Sequence, residues 1–111
     1  MELRWLPFAS EQLKVVAEYV KENFGENTAK KSIRKILDKV NTLKLSPNIG
    51  VWDKIYSTDK INIRHLNIGP NMVFYLTDEE EIVVIAVMHY KQSPATMNST
   101  IQYVLQNFIK R

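Results

Sequence analysis

The 111-residue chain contains no cysteine and only two histidines. The absence of cysteine excludes disulfide bonds and thiolate chemistry, and it fits a reducing cytoplasm, where we expect the protein to act. Two histidines without a ligand pair at helical or loop spacing predict no metal site, and no motif indicates a cofactor. No window approaches the roughly 20 apolar residues of a spanning helix, and the N-terminus lacks a signal-peptide pattern. We therefore expect a soluble protein with no membrane partner.

The remaining composition is typical of a folded protein. Hydrophobic residues make up 45% of the chain and charged residues 24%, which is ordinary for a globular domain. The length suffices for one modest hydrophobic core and is too short for two. We therefore expect residues 1–111 to form a single domain.

Positive charge is concentrated in the middle of the chain. The net charge of the whole chain is +3, whereas residues 30–64 carry nine basic side chains against three acidic ones, a net charge of +6. Such a patch would attract a polyanion or an acidic protein through salt-sensitive forces, although a solvated helix face is the commoner role of helical lysines. The basic residues are Lys30, Lys31, Arg34, Lys35, Lys39, Lys44, Lys54, Lys60 and Arg64.

The first part of the chain predicts a short strand and a helix. Leu3, Trp5 and Leu6 suggest a strand that closes at Pro7, because proline cannot donate to a ladder. Ser10 is a candidate N-cap, and Gly25 supplies the left-handed stop of the helix. The apolar stripe expected to face the core is Leu13, Val16, Ala17, Val20 and Phe24.

A second helix and a loop follow. Asn27 or Thr28 can cap this helix, which should end before Ser46-Pro47 and form a hairpin with the first helix. Residues 46–60 show no dominant period, so we interpret them as a loop anchored by Trp52 and Tyr56. The predicted buried stripe is Ile33, Ile36, Leu37, Val40 and Leu43.

Three apolar runs predict strands at Ile61–Ile68, Met72–Thr77 and Ile82–Tyr90. The alternation of the first run slips at Arg64, so either both faces of this strand are partly covered or a bulge intervenes. The last run is apolar on both faces, as in a central strand. The order βααβββα predicts an α+β fold, with a helical hairpin packed on a small, mainly antiparallel sheet.

The end of the chain predicts one more helix. Ser93 can cap it and Pro94 suits its first position. The stripe expected to face the core is Met97, Ile101, Val104, Leu105 and Phe108. We therefore expect residues 94–111 to form a C-terminal helical extension.

The order and spacing of several short motifs resemble the RelE/ParE superfamily of bacterial type II toxins over residues 1 to about 94. The resemblance implies a compact toxin neutralised by an acidic or amphipathic antitoxin segment, in a toxin–antitoxin hetero-oligomer or as a homodimer. The matching signals are Trp5 and Ala9, Tyr19-Val20, Leu43, Ser46-Pro47-Asn48-Ile49-Gly50, Arg64-His65-Leu66, Val73-Phe74-Tyr75 and Val87-Met88-His89.

The RelE-like branch of this superfamily implies a ribosome-dependent mRNA endonuclease. Arg64 would clamp the phosphate, His89 or Tyr90 would transfer protons, and Lys91 would add positive charge. Similar ribonucleases commonly have an arginine just before the apolar run where this chain has Asn71, which leaves the clamp one cation short.

The ParE-like branch, associated with plasmid stabilisation and inhibition of DNA gyrase, implies growth inhibition by binding and not an enzyme. The segment from Pro47 to Gly50, the Arg64-His65-Leu66 strand and the strand-end His89 are more similar to this branch, which we favour. A degenerate, non-toxic member is the third alternative.

Each of these side chains also has a structural alternative. A histidine at a strand end, such as His89, is more often a hydrogen-bonded structural group than a catalyst. Arg64 would then pair with an acidic residue such as Asp53 or Asp59. Tyr75 and Tyr90 would be packing residues with hydrated hydroxyl groups.

Overall fold

In the computed structural model, which describes residues 1–109, a five-stranded mixed sheet separates a helical hairpin from a third helix. The predicted α+β class, with the hairpin packed on a mainly antiparallel sheet and a C-terminal helix, is confirmed. Residues 110 and 111 of the predicted extension lie outside the described residues. The elements are β1 (Glu2–Trp5), α1 (Pro7–Phe24), α2 (Glu26–Asn41), a 3₁₀ turn (Thr42–Lys44), β2 (Val51–Trp52), β3 (Asn62–Ile68), β4 (Asn71–Thr77), β5 (Glu81–His89) and α3 (Pro94–Phe108).

The strands lie in the order β1-β5-β4-β3-β2. β1 runs parallel to β5, and the other neighbouring pairs are antiparallel. β5 is flanked by β1 and β4 and is buried from Ile82 to Met88, as expected for an interior strand. The sheet ends at β2, which leaves one side of this short strand unpaired within residues 1–109.

Each face of the sheet carries its own apolar cluster. On one face, the hairpin packs through Ala9, Ile36 and Val40 against Leu66, Val73, Tyr75 and other strand residues. On the opposite face, α3 packs through Ile101 and Val104 against the sheet. The two clusters explain why β4 and β5 are apolar on both sides.

The starts of α1 and α2 differ from those predicted. Ser10 is not an N-cap, because α1 begins at Pro7 and Leu6 occupies the cap position. Proline suits the first turn, where its missing N–H would have no intrahelical acceptor. α2 begins at Glu26, so neither Asn27 nor Thr28 caps it. The predicted stop at Gly25 is present, with φ of 95° and an amide that donates to the Lys21 carbonyl at 3.0 Å.

The slip in β3 reflects burial on both faces. Ile61 and Ile63 belong to the cluster under α3, whereas Leu66 and Ile68 belong to the cluster under the hairpin. β3 and β4 pair in continuous register, so the bulge that we offered as an alternative is not in this strand. An irregularity occurs instead in the pairing of β4 with β5, where Phe74 pairs with Ala86 and Tyr75 with Val84.

The segment predicted as a loop contains the edge strand β2. Val51 pairs with His65 and Trp52 with Arg64. Interpreting residues 46–60 as a loop throughout was therefore wrong at this point, because a strand of two residues is too short to produce a period. Tyr56 packs partly against the cluster under α3, as its role as an anchor predicts, whereas Trp52 is exposed.

α3 is fixed to the rest of the fold by its cap and by aromatic packing. The predicted cap is present, because the Ser93 hydroxyl accepts a hydrogen bond from the Thr96 amide at 3.0 Å. Ile101 and Val104 of the predicted stripe are fully buried, whereas Phe108 is partly exposed and lies 6.2 Å from the ring of Phe8. None of the helices within residues 1–109 has the length and apolarity required to span a bilayer.

Candidate functional site

Three of the four predicted site residues lie together where β5 ends. The His89 ring stacks on Tyr90 at 5.0 Å between centroids, and its Nδ1 accepts a hydrogen bond from the Lys91 amide at 3.0 Å. The Lys91 ammonium lies 5.9 Å from the centre of the Tyr90 ring. His89, Tyr90 and Lys91 are all exposed, so they form an accessible cluster with one ammonium group. We call it the strand-end trio.

The backbone fixes the position of this trio. His89 pairs with Asn71 across the sheet, and the Tyr90 amide donates to the Pro70 carbonyl at 2.9 Å. Asn71 is buried. A neutral amide therefore stands beside His89 at the position where the ribonuclease pattern would place an arginine.

Arg64 lies elsewhere, in the middle of β3. Its Nη1 donates to the Gly50 carbonyl at 2.9 Å, and its Nε is buried without a hydrogen-bond partner among residues 1–109. The expected structural alternative for Arg64, a pair with Asp53 or Asp59, is wrong, because the acceptor is this backbone carbonyl. The guanidinium is held partly inside the fold by a neutral group.

The pairing register separates Arg64 from the strand-end trio. Arg64 shares a row with Tyr75 and Val84, whereas His89 shares a row with Asn71 and Ile68. Four residues along the strands and two strand spacings correspond to about 16 Å between the Cα atoms of Arg64 and His89. The structure therefore brings His89, Tyr90 and Lys91 together and leaves Arg64 apart. A catalytic role for these four residues remains a prediction.

A hydrogen-bond network that we did not predict anchors the segment before β2. The Tyr75 hydroxyl donates to the Pro47 carbonyl at 2.8 Å and accepts from the Gly50 amide at 2.9 Å. Tyr75 is fully buried, so the prediction of a hydrated hydroxyl group is wrong. Burial also raises the pKa of its phenol. Gly50 leaves no room for a side chain, because a Cβ there would lie 2.6 Å from that hydroxyl.

A second unpredicted contact joins His65 to Asp53. His65 Nδ1 lies 2.9 Å and 3.0 Å from the two carboxylate oxygens, and both side chains are mostly buried. The His65 ring also packs 5.3 Å from the ring of Phe74. The sequence places a histidine on a predicted strand and an aspartate in the segment before it. These two positions alone do not predict that the side chains form a pair.

The predicted basic patch divides between α2 and the segment around β2. On α2, five exposed basic side chains occur within ten residues, and among residues 1–109 only Lys30 of these five lies within ion-pair distance of a carboxylate, that of Glu26 at 3.8 Å. An open groove of about 480 Å³ runs along the surface between α1 and α2, and Ile33 and Leu37 are among its apolar lining residues. Within residues 1–109, no group of three or more His, Asp and Glu side chains is placed to hold a metal ion. The α2 residues are Lys30, Lys31, Arg34, Lys35 and Lys39.

Comparison with known proteins identifies the class of this fold. The family model described as "ParE toxin of type II toxin-antitoxin system, parDE" matches residues 3–94. The chain belongs to this ParE toxin family. α3 begins where the match ends and extends beyond it.

A solved structure shares the fold. A chain of the "Chromosomal ParDE TA system from P. aeruginosa" superposes with a TM-score of 0.67 and 20% sequence identity, covering 80% of this chain and 95% of that chain. Among curated proteins, no match was found.

Proposed function

We propose that this protein is the toxin of a type II toxin–antitoxin pair and that it inhibits growth by binding a macromolecular target such as DNA gyrase. The match of the ParE toxin family to residues 3–94 carries this proposal. A role in plasmid stabilisation and action in the cytoplasm belong to the same proposal.

The geometry of the predicted site residues favours binding over cleavage. RNA cleavage requires a base near the ribose, an acid at the leaving oxygen and fixed cations around the phosphate. Arg64 is bonded to the Gly50 carbonyl and stands apart from the strand-end trio, so this set is incomplete. A binding inhibitor needs only an exposed complementary surface, for which the lysines and arginine of α2 are available.

A supercoiling assay tests this function. Purified protein added to DNA gyrase, relaxed plasmid and ATP should block supercoiling, while message in a translation extract stays intact. Normal supercoiling at a large molar excess of the protein would contradict the gyrase target.

A ribosome-dependent mRNA endonuclease is the second candidate, and the exposed strand-end trio favours it. The His89 ring stacks on Tyr90, and the Lys91 ammonium lies 5.9 Å from the centre of the Tyr90 ring. His89 or Tyr90 could therefore transfer a proton while Lys91 stabilises negative charge. In this case message should be cleaved in a translation extract, and His89→Ala or Arg64→Ala should abolish cleavage. Normal cleavage by both variants would exclude this assignment of the site.

The proposed partner is a cognate antitoxin encoded by the neighbouring reading frame, in a toxin–antitoxin hetero-oligomer. Induced expression of this chain alone should slow growth, and co-expression of the neighbour should restore it. Normal growth during expression of the folded chain alone would instead support a degenerate member of the family.

A further inference from the structure

The outer face of α2 concentrates the positive charge of the chain. Residues 30–39 hold five basic side chains and one acidic one, a net charge of +4, whereas the rest of the chain has a net charge of −1. All five basic side chains are exposed to solvent. An anionic macromolecule in solution is therefore attracted to this surface in particular.

The spacing of these charges is unfavourable for an isolated helix. Lys30 and Arg34, and likewise Lys31 and Lys35, stand four residues apart, so their side chains are neighbours on adjacent turns. Like charges at this spacing destabilise a helix. An anion that binds between the four groups would relieve the repulsion. We call Lys30, Lys31, Arg34 and Lys35 the α2 quartet.

The α2 quartet surrounds a shallow, open depression of about 540 Å³, with Asp38 at its rim. Its two rows of side chains are separated by about 6 Å along the helix axis, because each residue adds about 1.5 Å. On the other side of α2, Ile36 and Val40 are buried against the sheet. The backbone that carries the quartet is thus fixed before a ligand binds, which limits the entropic cost of binding.

The composition of this face distinguishes between a nucleic acid and an acidic protein as its ligand. Within residues 1–109, every large hydrophobic side chain that is exposed lies outside α2. The core of a protein–protein interface is rich in aromatic residues and poor in lysine, whereas interfaces with DNA are polar and strongly positive. Four cations on a helix without a large exposed apolar side chain therefore match the phosphate backbone of a nucleic acid.

We propose that the α2 quartet binds the phosphate backbone of duplex DNA, and that the toxin contacts through it the DNA on which gyrase acts. The choice of DNA rests on the proposed function, because duplex DNA is the substrate of gyrase. Duplex DNA carries one negative charge per about 1.7 Å of its axis, so a patch about 6 Å long faces about three phosphates. Lysine contacts to phosphates carry no sequence information, so we expect no preference among base sequences.

The salt dependence of DNA binding tests the phosphate contacts, with a fluorescently labelled DNA duplex and anisotropy as the readout. For about three contacts, the logarithm of the association constant should fall with the logarithm of the salt concentration with a slope of about −2.7. Lys31→Gln/Lys35→Gln should flatten this slope by about two, because each lost contact removes about one. An affinity that does not change with salt, or an unchanged slope in the double variant, would overturn the proposal.

Charge reversal separates the α2 quartet from the overall charge of the protein. Lys31→Glu/Lys35→Glu should weaken DNA binding at least about tenfold at low salt, with an unchanged urea midpoint. Lys14→Glu/Lys54→Glu is the matched control, because it changes the net charge equally at exposed positions outside α2. The control should bind within about threefold of wild type. Equal losses in the two variants would show that no site exists on α2.

Removal of the carboxylate at the rim should strengthen binding. Asp38 is the only acidic residue among residues 30–39, and it repels a phosphate placed beside the quartet. Asp38→Asn should therefore tighten DNA binding about threefold at low salt, a gain that misfolding cannot produce. An affinity equal to or below that of wild type would contradict a phosphate at this position.

Cross-linking identifies what α2 contacts in the complex with gyrase and DNA. The chain contains no cysteine, so Asp38→Cys and Val15→Cys each accept a single photoactivatable probe. Val15 is the control because it is 64% exposed on α1. The probe at position 38 should link to the DNA and the probe at position 15 should not. Links from position 38 to the gyrase subunits alone would overturn the proposal.

Two further outcomes separate failure of this proposal from failure of the proposed function. Wild type that blocks supercoiling without binding the DNA duplex would overturn the DNA site and leave gyrase inhibition standing. DNA binding through the quartet by a protein that leaves supercoiling normal would overturn gyrase inhibition alone.

Competition tests the choice of DNA over RNA. Unlabelled duplex RNA should displace the labelled DNA no better than unlabelled duplex DNA of the same sequence does. Displacement by duplex RNA at a concentration about ten times lower would assign the quartet to RNA and overturn the proposal.

Discussion

Gly50 shows how one position can depend on the absence of a side chain. A Cβ at this residue would lie 2.6 Å from the Tyr75 hydroxyl and 2.9 Å from the His65 carbonyl oxygen. The second contact is with backbone, which cannot move aside without disturbing β3. Packing conflicts of this kind typically cost about 1–3 kcal/mol.

We therefore expect Gly50→Ala to lower the free energy of unfolding by about 2 kcal/mol, as measured by urea denaturation. Gly69→Ala is the control, because a Cβ at Gly69 meets nothing within 4 Å and only the positive φ of 58° opposes it. Its cost should be about 1 kcal/mol. A larger loss at Gly69 than at Gly50 would contradict the steric argument.

Tyr75 predicts a pH dependence of stability. Burial raises the pKa of its phenol above the ordinary value of about 10. Above about pH 10 the phenol of the unfolded chain loses its proton, whereas the phenol of the folded chain keeps it. The contribution of Tyr75 to the free energy of unfolding is therefore complete below about pH 10 and falls as the pH rises further. Tyr75→Phe should cost about 2 kcal/mol at pH 7, because the Gly50 amide and Pro47 carbonyl lose their partner.

Urea titrations of Tyr75→Phe and wild type at pH 7 and near pH 10.5 check this sign. The difference in unfolding free energy between the two proteins should shrink at the higher pH. A difference that grows with pH would mean that the phenolate is favoured in the folded state.

α3 is the element that lies outside the family match, and it covers one face of the sheet. Its residues Ile101 and Val104 are fully buried against that face. We expect Ile101→Ala to lower the free energy of unfolding by about 3 kcal/mol, through lost burial and the cavity left behind. Gln106→Ala, an exposed position on the same helix, should change it by less than about 0.5 kcal/mol. Equal, small losses would show that α3 contributes little to the fold.

α2 is the element that we expect to face the target, because of its exposed basic side chains. Lys31→Glu/Lys35→Glu should raise the concentration needed for half-inhibition of gyrase supercoiling at least tenfold, with an unchanged urea midpoint. Lys14→Glu on α1 is the control for a single remote charge, since Lys14 is partnered by Glu11 at 3.2 Å. Inhibition by the α2 variant at the wild-type concentration would remove α2 from the target interface.

Local periodicity predicted the helices and the long strands, whereas the sequence could not specify contacts between distant residues. The burial of Ile36, Val40 and Leu43 and the two-sided burial of β5 follow from the spacing of apolar residues alone, whereas Phe24, placed in the predicted stripe of α1, is 65% exposed. β2 was missed because two residues produce no period. The bonds from Tyr75 to Gly50 and from His65 to Asp53 depend on the pairing of β3 with β2 and β4. The strand-end trio was predictable because its members are consecutive, and the isolation of Arg64 required the register.

For the whole protein, the proposed action by binding agrees with a sheet covered on one face by the hairpin and on the other by α3, and with an Arg64 guanidinium held partly inside the fold. Such a molecule presents its charged helix and its open edge to other macromolecules. Its activity should then depend on these surfaces and not on proton transfer at the end of β5.

The most direct test of this account is growth inhibition by a variant without the strand-end trio. His89→Ala/Tyr90→Phe/Lys91→Ala should slow growth as strongly as wild type at equal expression and block gyrase supercoiling at the same concentration. Loss of growth inhibition by the folded variant, together with loss of mRNA cleavage that wild type performs, would contradict it and establish a ribonuclease.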